Sequence, residues 1–157
     1  MDNARKNMMK KLCKKYGLHL HNHDILNRAF LFGKSKENAC IHYLDSYEIL
    51  EYIGDSALEY CTQQLIKLNL QSLTAQEVHQ KTCAFTNNAN LSKLSQQLGL
   101  EEYLPNPYSI KDEKRYADLF ESFIGAIYMA SGIEKVYEFL NKNFRNEILN
   151  DENNYNI

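Results

Sequence analysis

The chain has 157 residues, of which 44% are hydrophobic and 24% charged, and its formal net charge is −2. This length suits a single domain with a substantial core. It contains no apolar run long enough to span a membrane and no recognisable secretory signal, so we expect an intracellular protein, cytoplasmic or nuclear, rather than a secreted or membrane protein. Four cysteines lie far apart without a Cys-x-x-Cys pair, which favours reduced thiols over disulfides: Cys13, Cys40, Cys61 and Cys83.

The first predicted element is a basic amphipathic helix. Six cations lie within the first fifteen residues and are opposed only by Asp2: Arg5, Lys6, Lys10, Lys11, Lys14 and Lys15. An apolar stripe that includes Met8 and Leu12 can face the core, which leaves the cations outside. These cations are either a solvated face or a surface for nucleic-acid phosphates, and phosphate contacts would add affinity without sequence preference. The candidates for such contacts are Lys10, Lys11 and Lys14.

Three alternating histidines, His19, His21 and His23, follow this helix. They could share one side only if the backbone were extended, and no cysteine accompanies them at a usual zinc-ligand spacing. A metal site at these histidines is therefore the less favoured interpretation, and their roles stay open. A helix that begins near Asp24 and a polar loop at 34–45 complete this part of the chain.

The next predicted helix begins at Tyr47 and has an acidic stripe. At 100° per residue, four carboxylates fall within a stripe about 80° wide: Glu48, Glu51, Asp55 and Glu59. Apolar residues cover much of the remaining circumference, which predicts a largely buried helix. Burying ionised carboxylates is costly unless a positive charge neutralises them. The stripe is therefore either a solvated acidic face or a surface that binds cations.

Helix boundaries are readable in the middle of the chain. Thr74 and Glu77 have the spacing of a capping box, which predicts the start of a helix. Asn88 is the predicted N-cap of a further helix, and Gly99 is the predicted stop of that helix.

A second group of carboxylates lies on the helix predicted over 111–131. Asp118 and Glu121 are three residues apart and are therefore neighbours on one face. Gly125 on this helix and Gly54 on the earlier one suggest two backbones in close approach, because glycine inside a helix costs roughly 1 kcal/mol and usually has a packing reason. Close approach would converge four carboxylates in a mostly apolar setting: Glu51, Asp55, Asp118 and Glu121. An all-oxygen ligand set of this kind favours Mg²⁺ or Mn²⁺.

The last predicted element is an amphipathic helix over 133–148. Because the chain contains no convincing strand, the predicted fold class is all-α. We expect one domain over residues 1–150, followed by a polar tail at 151–157.

Two blocks of the sequence resemble the ribonuclease III family. The family signature runs roughly Asn-Glu-Arg-Leu-Glu-Phe-Leu-Gly-Asp-Ser/Ala and is similar to Tyr47-Glu48-Ile49-Leu50-Glu51-Tyr52-Ile53-Gly54-Asp55-Ser56. The second family block is similar to Asp118-Leu119-Phe120-Glu121-Ser122 with Ala126-Ile127-Tyr128-Met129, in wording closest to the nuclease domains of Dicer. Both blocks stand in the family order, and the resemblance covers nearly the whole chain. Two departures are Tyr47, where asparagine is common, and Leu31-Phe32, where a Thr-His pair is usual.

The resemblance implies an all-α ribonuclease III endonuclease domain that forms a two-fold homodimer and acts on double-stranded RNA. It implies that the four converging carboxylates are both the catalytic residues and the ligands of Mg²⁺, for which Mn²⁺ can substitute. It also implies two-metal-ion hydrolysis that leaves 5′-phosphate and 3′-hydroxyl ends with short 3′ overhangs. The expected setting is RNA interference, as for Dicer, or RNA processing.

The resemblance also gives roles to residues around the site. Glu48 matches a second acidic position of the signature and is expected to face RNA or a dimer partner, while Lys114, one turn before Asp118, is a candidate phosphate contact. No double-stranded-RNA-binding domain is recognisable on the chain, so we expect a minimal enzyme or an excised piece, with a separate RNA-binding partner protein as one source of that domain. Two alternatives stay open: a non-cleaving ribonuclease III-like RNA-binding or scaffold subunit, and an acidic helical interaction domain with an accidental motif match.

Overall fold

The computed structural model describes residues 1–31 and 47–149. Within these ranges the chain forms seven α-helices, numbered in chain order: α1 Asn3–Tyr16, α2 His23–Arg28, α3 Tyr47–Asn69, α4 Ala75–Thr86, α5 Asn88–Gln97, α6 Glu113–Ser131 and α7 Ile133–Leu149. Two short 3-10 helices, Leu100–Tyr103 and Pro107–Ser109, connect α5 to α6. The described ranges contain no strand, which confirms the all-α prediction. The predicted loop at 34–45, the predicted tail at 151–157, Phe32 and Cys40 lie outside the described residues.

The centre of the fold is the contact between α3 and α6, which is the most extensive helix–helix contact in the described ranges. Leu50 and Leu58 of α3 are fully buried, as are Phe120 and Phe123 of α6, and burial of one such side chain stabilises the fold by about 1.5–3 kcal/mol. α5 packs against α6, and α7 packs against α3. The two acidic stretches are therefore on helices that the core holds in fixed positions.

Two glycines set the distance between α3 and α6. A Cβ atom at Gly54 would overlap the carbonyl oxygen of Glu121 and lie 2.6 Å from its carbonyl carbon. A Cβ atom at Gly125 would overlap the carbonyl oxygen of Leu50 and lie 2.7 Å from its carbonyl carbon. Only glycine leaves room for this backbone contact at both positions. The close approach that the sequence suggested is thus confirmed.

Most of the predicted helix boundaries are confirmed, and two are corrected. Thr74 and Glu77 form the capping box at the start of α4, and Gly99 follows α5 in the left-handed conformation, with φ 64°. The N-cap of α5 is Asn87 rather than Asn88, because Asn87 has an extended backbone and its side chain accepts a hydrogen bond from the backbone N–H of Asn90. α6 begins at residue 113 rather than 111, because the side chain of Asp112 caps it.

The basic first helix has the predicted amphipathic form. Met9 and Leu12 are fully buried, whereas Lys10, Lys11 and Lys14 are exposed. Arg5 differs from these lysines, since its guanidinium donates hydrogen bonds to the Asn27 side chain at 2.9 Å and to the Tyr103 carbonyl at 2.5 Å, which ties α1 to two other segments.

In the part of the chain that the structure describes, no helix combines the length and apolar character needed to cross a bilayer.

Candidate metal centre

Three carboxylates converge where α3 and α6 meet. Glu51 extends from α3, and Asp118 and Glu121 extend from α6, and each can present an oxygen atom within 4.8 Å of the other two. Asp118 is only 5% exposed, while Glu51 and Glu121 are partly buried. These three positions were predicted to converge, and they do so beside the glycine contact that brings the two backbones together.

The other two predicted acidic residues lie at the edge of this cluster. Asp55 is exposed one turn beyond Glu51 on α3 and does not belong to the group of three. Its charge nevertheless acts on Glu121, where it is the strongest single charged neighbour. Glu48 is exposed at the start of α3 and is likewise outside the group. The structure therefore has a half-buried cluster of three carboxylates, with Asp55 close to its solvent side.

Burial and like charges raise the pKa of two carboxyl groups of the cluster. Burial, followed by the neighbouring charge of Asp118, raises the pKa of Glu51 from 4.5 to about 7. Burial, followed by the charges of Asp55 and Glu51, raises the pKa of Glu121 from 4.5 to about 8. Both shifts have the direction expected for like charges held together in a partly desolvated site. A bound cation would favour the ionised form of both side chains.

Lys114 brings a positive charge to the cluster. Its Nζ atom lies 2.9 Å from Oδ2 and 3.2 Å from Oδ1 of Asp118, four residues further along α6. The lysine side chain is 69% exposed, whereas that of Asp118 is 7% exposed. The hydrogen bond to Asp118 raises the pKa of Lys114. Lys114, a candidate contact for an RNA phosphate, is thus paired with a site carboxylate in this structure, and its side chain stays largely exposed.

The donor set fits a hard divalent cation. All three converging groups offer carboxylate oxygens and none offers nitrogen or sulfur, which suits Mg²⁺ or Mn²⁺ better than Zn²⁺. The raised pKa values of Glu51 and Glu121 also indicate an excess of negative charge that such an ion would relieve.

Comparison with known proteins identifies the family of the chain. Residues 48–132 match the Ribonuclease III domain, a segment that includes Glu48, Glu51, Asp55, Asp118 and Glu121. The chain belongs to the ribonuclease III domain family.

The curated relatives of this ribonuclease III domain extend beyond it. It is 37% identical over 105 residues to Ribonuclease 3 of Mycoplasma mobile, an alignment that covers 64% of the chain and 43% of the relative. It is 30% identical over 110 residues to Ribonuclease 3 of Chlorobium chlorochromatii, which covers 66% of the chain and 44% of that relative. The chain thus spans somewhat less than half the length of these two relatives.

Solved structures share the fold of this ribonuclease III domain. A structure of the Campylobacter jejuni ribonuclease III nuclease domain, described by its flexibility in a region involved in dimer formation, has a TM-score of 0.70 at 18% identity and covers 87% of this chain and 98% of that one. The structure of Dicer from Pichia stipitis has a TM-score of 0.58 at 23% identity and covers 85% of this chain and 64% of that one. At these identities the similarity establishes the fold.

Two further predictions concern the N-terminal part of the ribonuclease III domain. His19 and His21 are exposed, on either side of the buried Leu20, and His23 is the first residue of α2. The three histidines are not part of the carboxylate group that could hold a metal ion among the described residues. Lys10, Lys11 and Lys14 are on the exposed side of α1, a helix that packs against α2.

Sequence reasoning missed the burial of Tyr47 beside the carboxylate cluster. It treated this residue only as a departure from the family signature, but the tyrosine is 7% exposed and its hydroxyl oxygen is buried. Burial, followed by the charge of Glu51, raises the pKa of Tyr47, with Ser122 and Asp118 as further polar neighbours. The available signal was its position four residues before Glu51, since residues at this spacing share a helix face.

Proposed function

We propose that this ribonuclease III domain is an endoribonuclease that hydrolyses double-stranded RNA in a metal-dependent reaction. The observation that carries the proposal is the carboxylate cluster of Glu51, Asp118 and Glu121, held across a glycine-lined helix contact in a chain whose residues 48–132 match the family. We assign Asp55 to the same site as a fourth ligand, because its charge already acts on Glu121.

The four carboxylates would hold two Mg²⁺ ions, for which Mn²⁺ can substitute. Bound there, the ions would supply an activated water for attack on the phosphodiester and would stabilise the departing 3′-oxygen, which leaves 5′-phosphate and 3′-hydroxyl ends. Asp118 and Glu121 are fixed on one face of α6, and the Gly54 contact fixes the distance from α6 to Glu51. The helices therefore hold these ligands with little freedom to rearrange, which favours catalysis by positioning.

Lysines would bind the RNA backbone around this centre. Once metal neutralises the carboxylates, the exposed Lys114 side chain would leave Asp118 and bind a phosphate oxygen of the substrate. Lys10, Lys11 and Lys14 on α1 provide a second basic surface. Phosphate contacts of this kind add affinity without sequence preference, and an RNA duplex is recognised largely by its shape and its 2′-hydroxyls. Both properties are consistent with a nuclease in RNA interference or RNA processing.

The active form would be a two-fold homodimer with one centre per RNA strand, which would produce short 3′ overhangs. The exposed apolar surface of α3 supports this proposal: Tyr52 is 75% exposed, Tyr60 is 55% exposed and Leu68 is 59% exposed. An apolar groove between α3 and α4, lined in part by Tyr60, Leu68 and Val78, extends this surface. An exposed apolar surface that can pair with its own copy is the usual basis of an isologous dimer. Glu48, exposed near Tyr52, would lie at the edge of that interface or face the RNA.

The chain would work inside the cell, and a separate protein would provide further RNA-binding surface. Free thiols at Cys13, Cys61 and Cys83 support a reducing location.

Cleavage of a long, perfectly paired RNA by the purified chain tests the proposal. We expect short products with Mg²⁺, intact RNA with EDTA, and no cleavage by Asp118→Asn despite a retained fold and retained gel-shift binding. Glu59→Gln, which changes an exposed carboxylate on the same helix as Glu51, is the matched control and should cut normally. Binding without cleavage under all conditions would favour the non-cleaving scaffold function, and cleavage by Asp118→Asn would refute the assigned role of Asp118.

A further inference from the structure

A polar cleft of about 340 Å³ lies where the start of α1 meets the start of α2. Five of the six residues that line it are polar or charged: Met1, Lys6, His21, Asn22, His23 and Asp24. The lining contains two of the three histidines that stand out in the sequence, whereas His19 is outside it. The volume is at the lower end of the range for small-ligand sites, so the cleft suits a small polar group.

The two walls of this cleft are held in fixed positions. The Arg5 side chain of α1, next to Lys6, donates a hydrogen bond at 2.9 Å to the Asn27 side chain of α2. Leu20 and Leu26, on either side of the two histidines, are buried in the core. The cleft is therefore formed before a ligand arrives, which lowers the entropic cost of binding.

The cleft offers more hydrogen-bond donors than acceptors. The side-chain oxygen of Asn22 accepts hydrogen bonds from the backbone N–H groups of Asp24 at 3.0 Å and Ile25 at 3.3 Å, which leaves its NH₂ group as a donor. Lys6 carries three N–H donors, and each imidazole carries at least one. Among the described residues, no ion pair joins Lys6 to Asp24. A donor-rich site with a lysine suits the oxygens of a phosphate group, which accept hydrogen bonds.

The two histidines control the net charge of the cleft. The charged side chains that line it beside them are Lys6 from α1 and Asp24 from α2, and these two charges balance each other. A free amino group at Met1 would add one further positive charge. Histidine is the side chain that ordinarily gains a proton between pH 8 and pH 5, and each protonation adds a positive charge and a second N–H donor. The attraction of the cleft for an anion therefore increases as the pH falls.

A stripe of cations on α1 leads to the cleft. Lys6, Lys10 and Lys14 are four residues apart, so they share one face of the helix, and all three are exposed. A row of lysines along a helix is the electrostatic footprint of a nucleic-acid backbone rather than of a single small anion. The cleft is therefore placed to receive one phosphate of a chain whose neighbouring phosphates contact α1.

We propose that this cleft binds a backbone phosphate of the RNA duplex through Lys6, His21 and His23. The inference rests on the proposed function for its choice of ligand, because it takes a duplex RNA as the substrate. It assigns a role to two histidines that the carboxylate cluster does not use. Asp24 opposes the bound phosphate, so protonation of the histidines decides how tightly the cleft holds it.

Duplex affinity in EDTA, where the RNA stays intact, tests the inference. The probe is a fluorescently labelled, perfectly paired RNA duplex, and its anisotropy is measured at constant ionic strength. The double variant His21→Gln/His23→Gln should bind about 3–10-fold less tightly than wild type at about pH 6 and within about twofold of it at about pH 8. The matched control is His19→Gln, which changes an exposed histidine outside the cleft and should bind like wild type at both pH values. Asp24→Asn should bind more tightly than wild type at about pH 8.

The comparison between variants decides the result, rather than the pH dependence of wild type alone. The pKa values of two carboxyl groups in the cluster are raised to about 7 and about 8, so that cluster also gains negative charge over this range. Its effect on RNA affinity is the same in wild type, the double variant and the control, and it cancels when their affinities are compared at one pH.

A second measurement uses the wild-type chain and does not depend on the folding of any variant. The imidazole ring resonances of His21 and His23 should move on addition of the unlabelled duplex in EDTA, and those of His19 should move less. Rings of His21 and His23 that do not move at saturating duplex would overturn the inference. Rings that move with inorganic phosphate, together with unchanged duplex affinity of the double variant, would assign the cleft to a free phosphate and overturn the assignment to RNA.

The remaining outcomes separate this inference from the proposed function. Equal duplex affinity of the double variant and wild type at about pH 6, or an equal loss in His19→Gln, would overturn the inference and leave Mg²⁺-dependent cleavage untouched. A wild-type chain that binds the duplex through these histidines but does not cut it with Mg²⁺ would support the inference and overturn the proposed function.

Discussion

Replacement of Glu121 by glutamine should stabilise the metal-free protein at alkaline pH while it destroys the metal centre. Glu121 is partly buried on α6, and burial together with the charges of Asp55, Glu51 and Asp118 raises its pKa from 4.5 to about 8. The native state therefore binds a proton at this carboxyl more tightly than the unfolded state does. Glutamine has nearly the same shape and remains neutral at every pH.

The sign and size of the effect follow from the two pKa values. The contribution of Glu121 to stability is complete below about pH 4.5 and is lost as the pH rises toward 8, because the unfolded state releases its proton first. At about 1.36 kcal/mol per pKa unit, the ceiling is roughly 5 kcal/mol, and solvent screening at this partly exposed site reduces the expected loss to about 1–2 kcal/mol.

Urea unfolding in EDTA at pH 5.5 and pH 8.5 measures this loss. Wild type and the exposed-site control Glu59→Gln should both lose about 1–2 kcal/mol over this range, whereas Glu121→Gln should lose less and should be the most stable at pH 8.5. Saturating Mg²⁺ should restore the stability of wild type but not affect Glu121→Gln, since only a protein with an intact site gains free energy from the ligand. A Glu121→Gln variant that is no more stable than wild type at pH 8.5 in EDTA would refute the reasoning.

Two further predictions concern the scaffold. Gly125→Ala would gain about 1 kcal/mol in helix propensity, but its Cβ would overlap the Leu50 carbonyl, and overpacking of this kind costs about 1–3 kcal/mol or more. We therefore expect urea unfolding to show that Gly125→Ala is less stable than wild type. The control Ser56→Ala, at an exposed position of α3, should show no such loss. Thr74→Ala should lower the free energy of unfolding by about 1 kcal/mol because it removes the N-cap of α4. In this variant the backbone amide protons at the start of α4 should exchange faster with solvent. Unchanged exchange rates would contradict the capping role of Thr74.

The convergence of the carboxylates could be predicted because one periodicity controls both the chemistry and the packing. Glu51 and Gly54 are neighbours on α3, as Glu121 and Gly125 are on α6, so a helix pair that meets at its glycines must also bring these carboxylates together. The capping box of α4 could be predicted for a similar reason, since Thr74 and Glu77 interact locally and need no tertiary context.

The remaining details depend on information that a linear pattern does not carry. The adjacent asparagines Asn87 and Asn88 are equally good caps by composition, and only the extended backbone of Asn87 decides between them. The sequence pattern puts Asp55 and Glu51 on the same stripe of α3. The sequence does not show how close each side chain lies to α6, and in the structure Glu51 is half-buried while Asp55 is exposed. Tyr47 likewise has polar neighbours on α6, Ser122 and Asp118, that lie far away in sequence.

The close packing of α3 and α6 explains both the glycine contact and the charge repulsion within the carboxylate cluster. The carboxylate oxygens of Glu51 and Glu121 can lie within 4.8 Å of each other, where two full charges would repel by roughly 3–4 kcal/mol at an effective dielectric constant of about 20. The helices do not separate to relieve this repulsion, because the buried core holds them together, so the site relieves it by retaining protons. A divalent ion must then displace those protons near neutral pH, which couples its affinity to pH. The packing that makes the site rigid therefore also holds the carboxylates so close together that a bound cation neutralises them best.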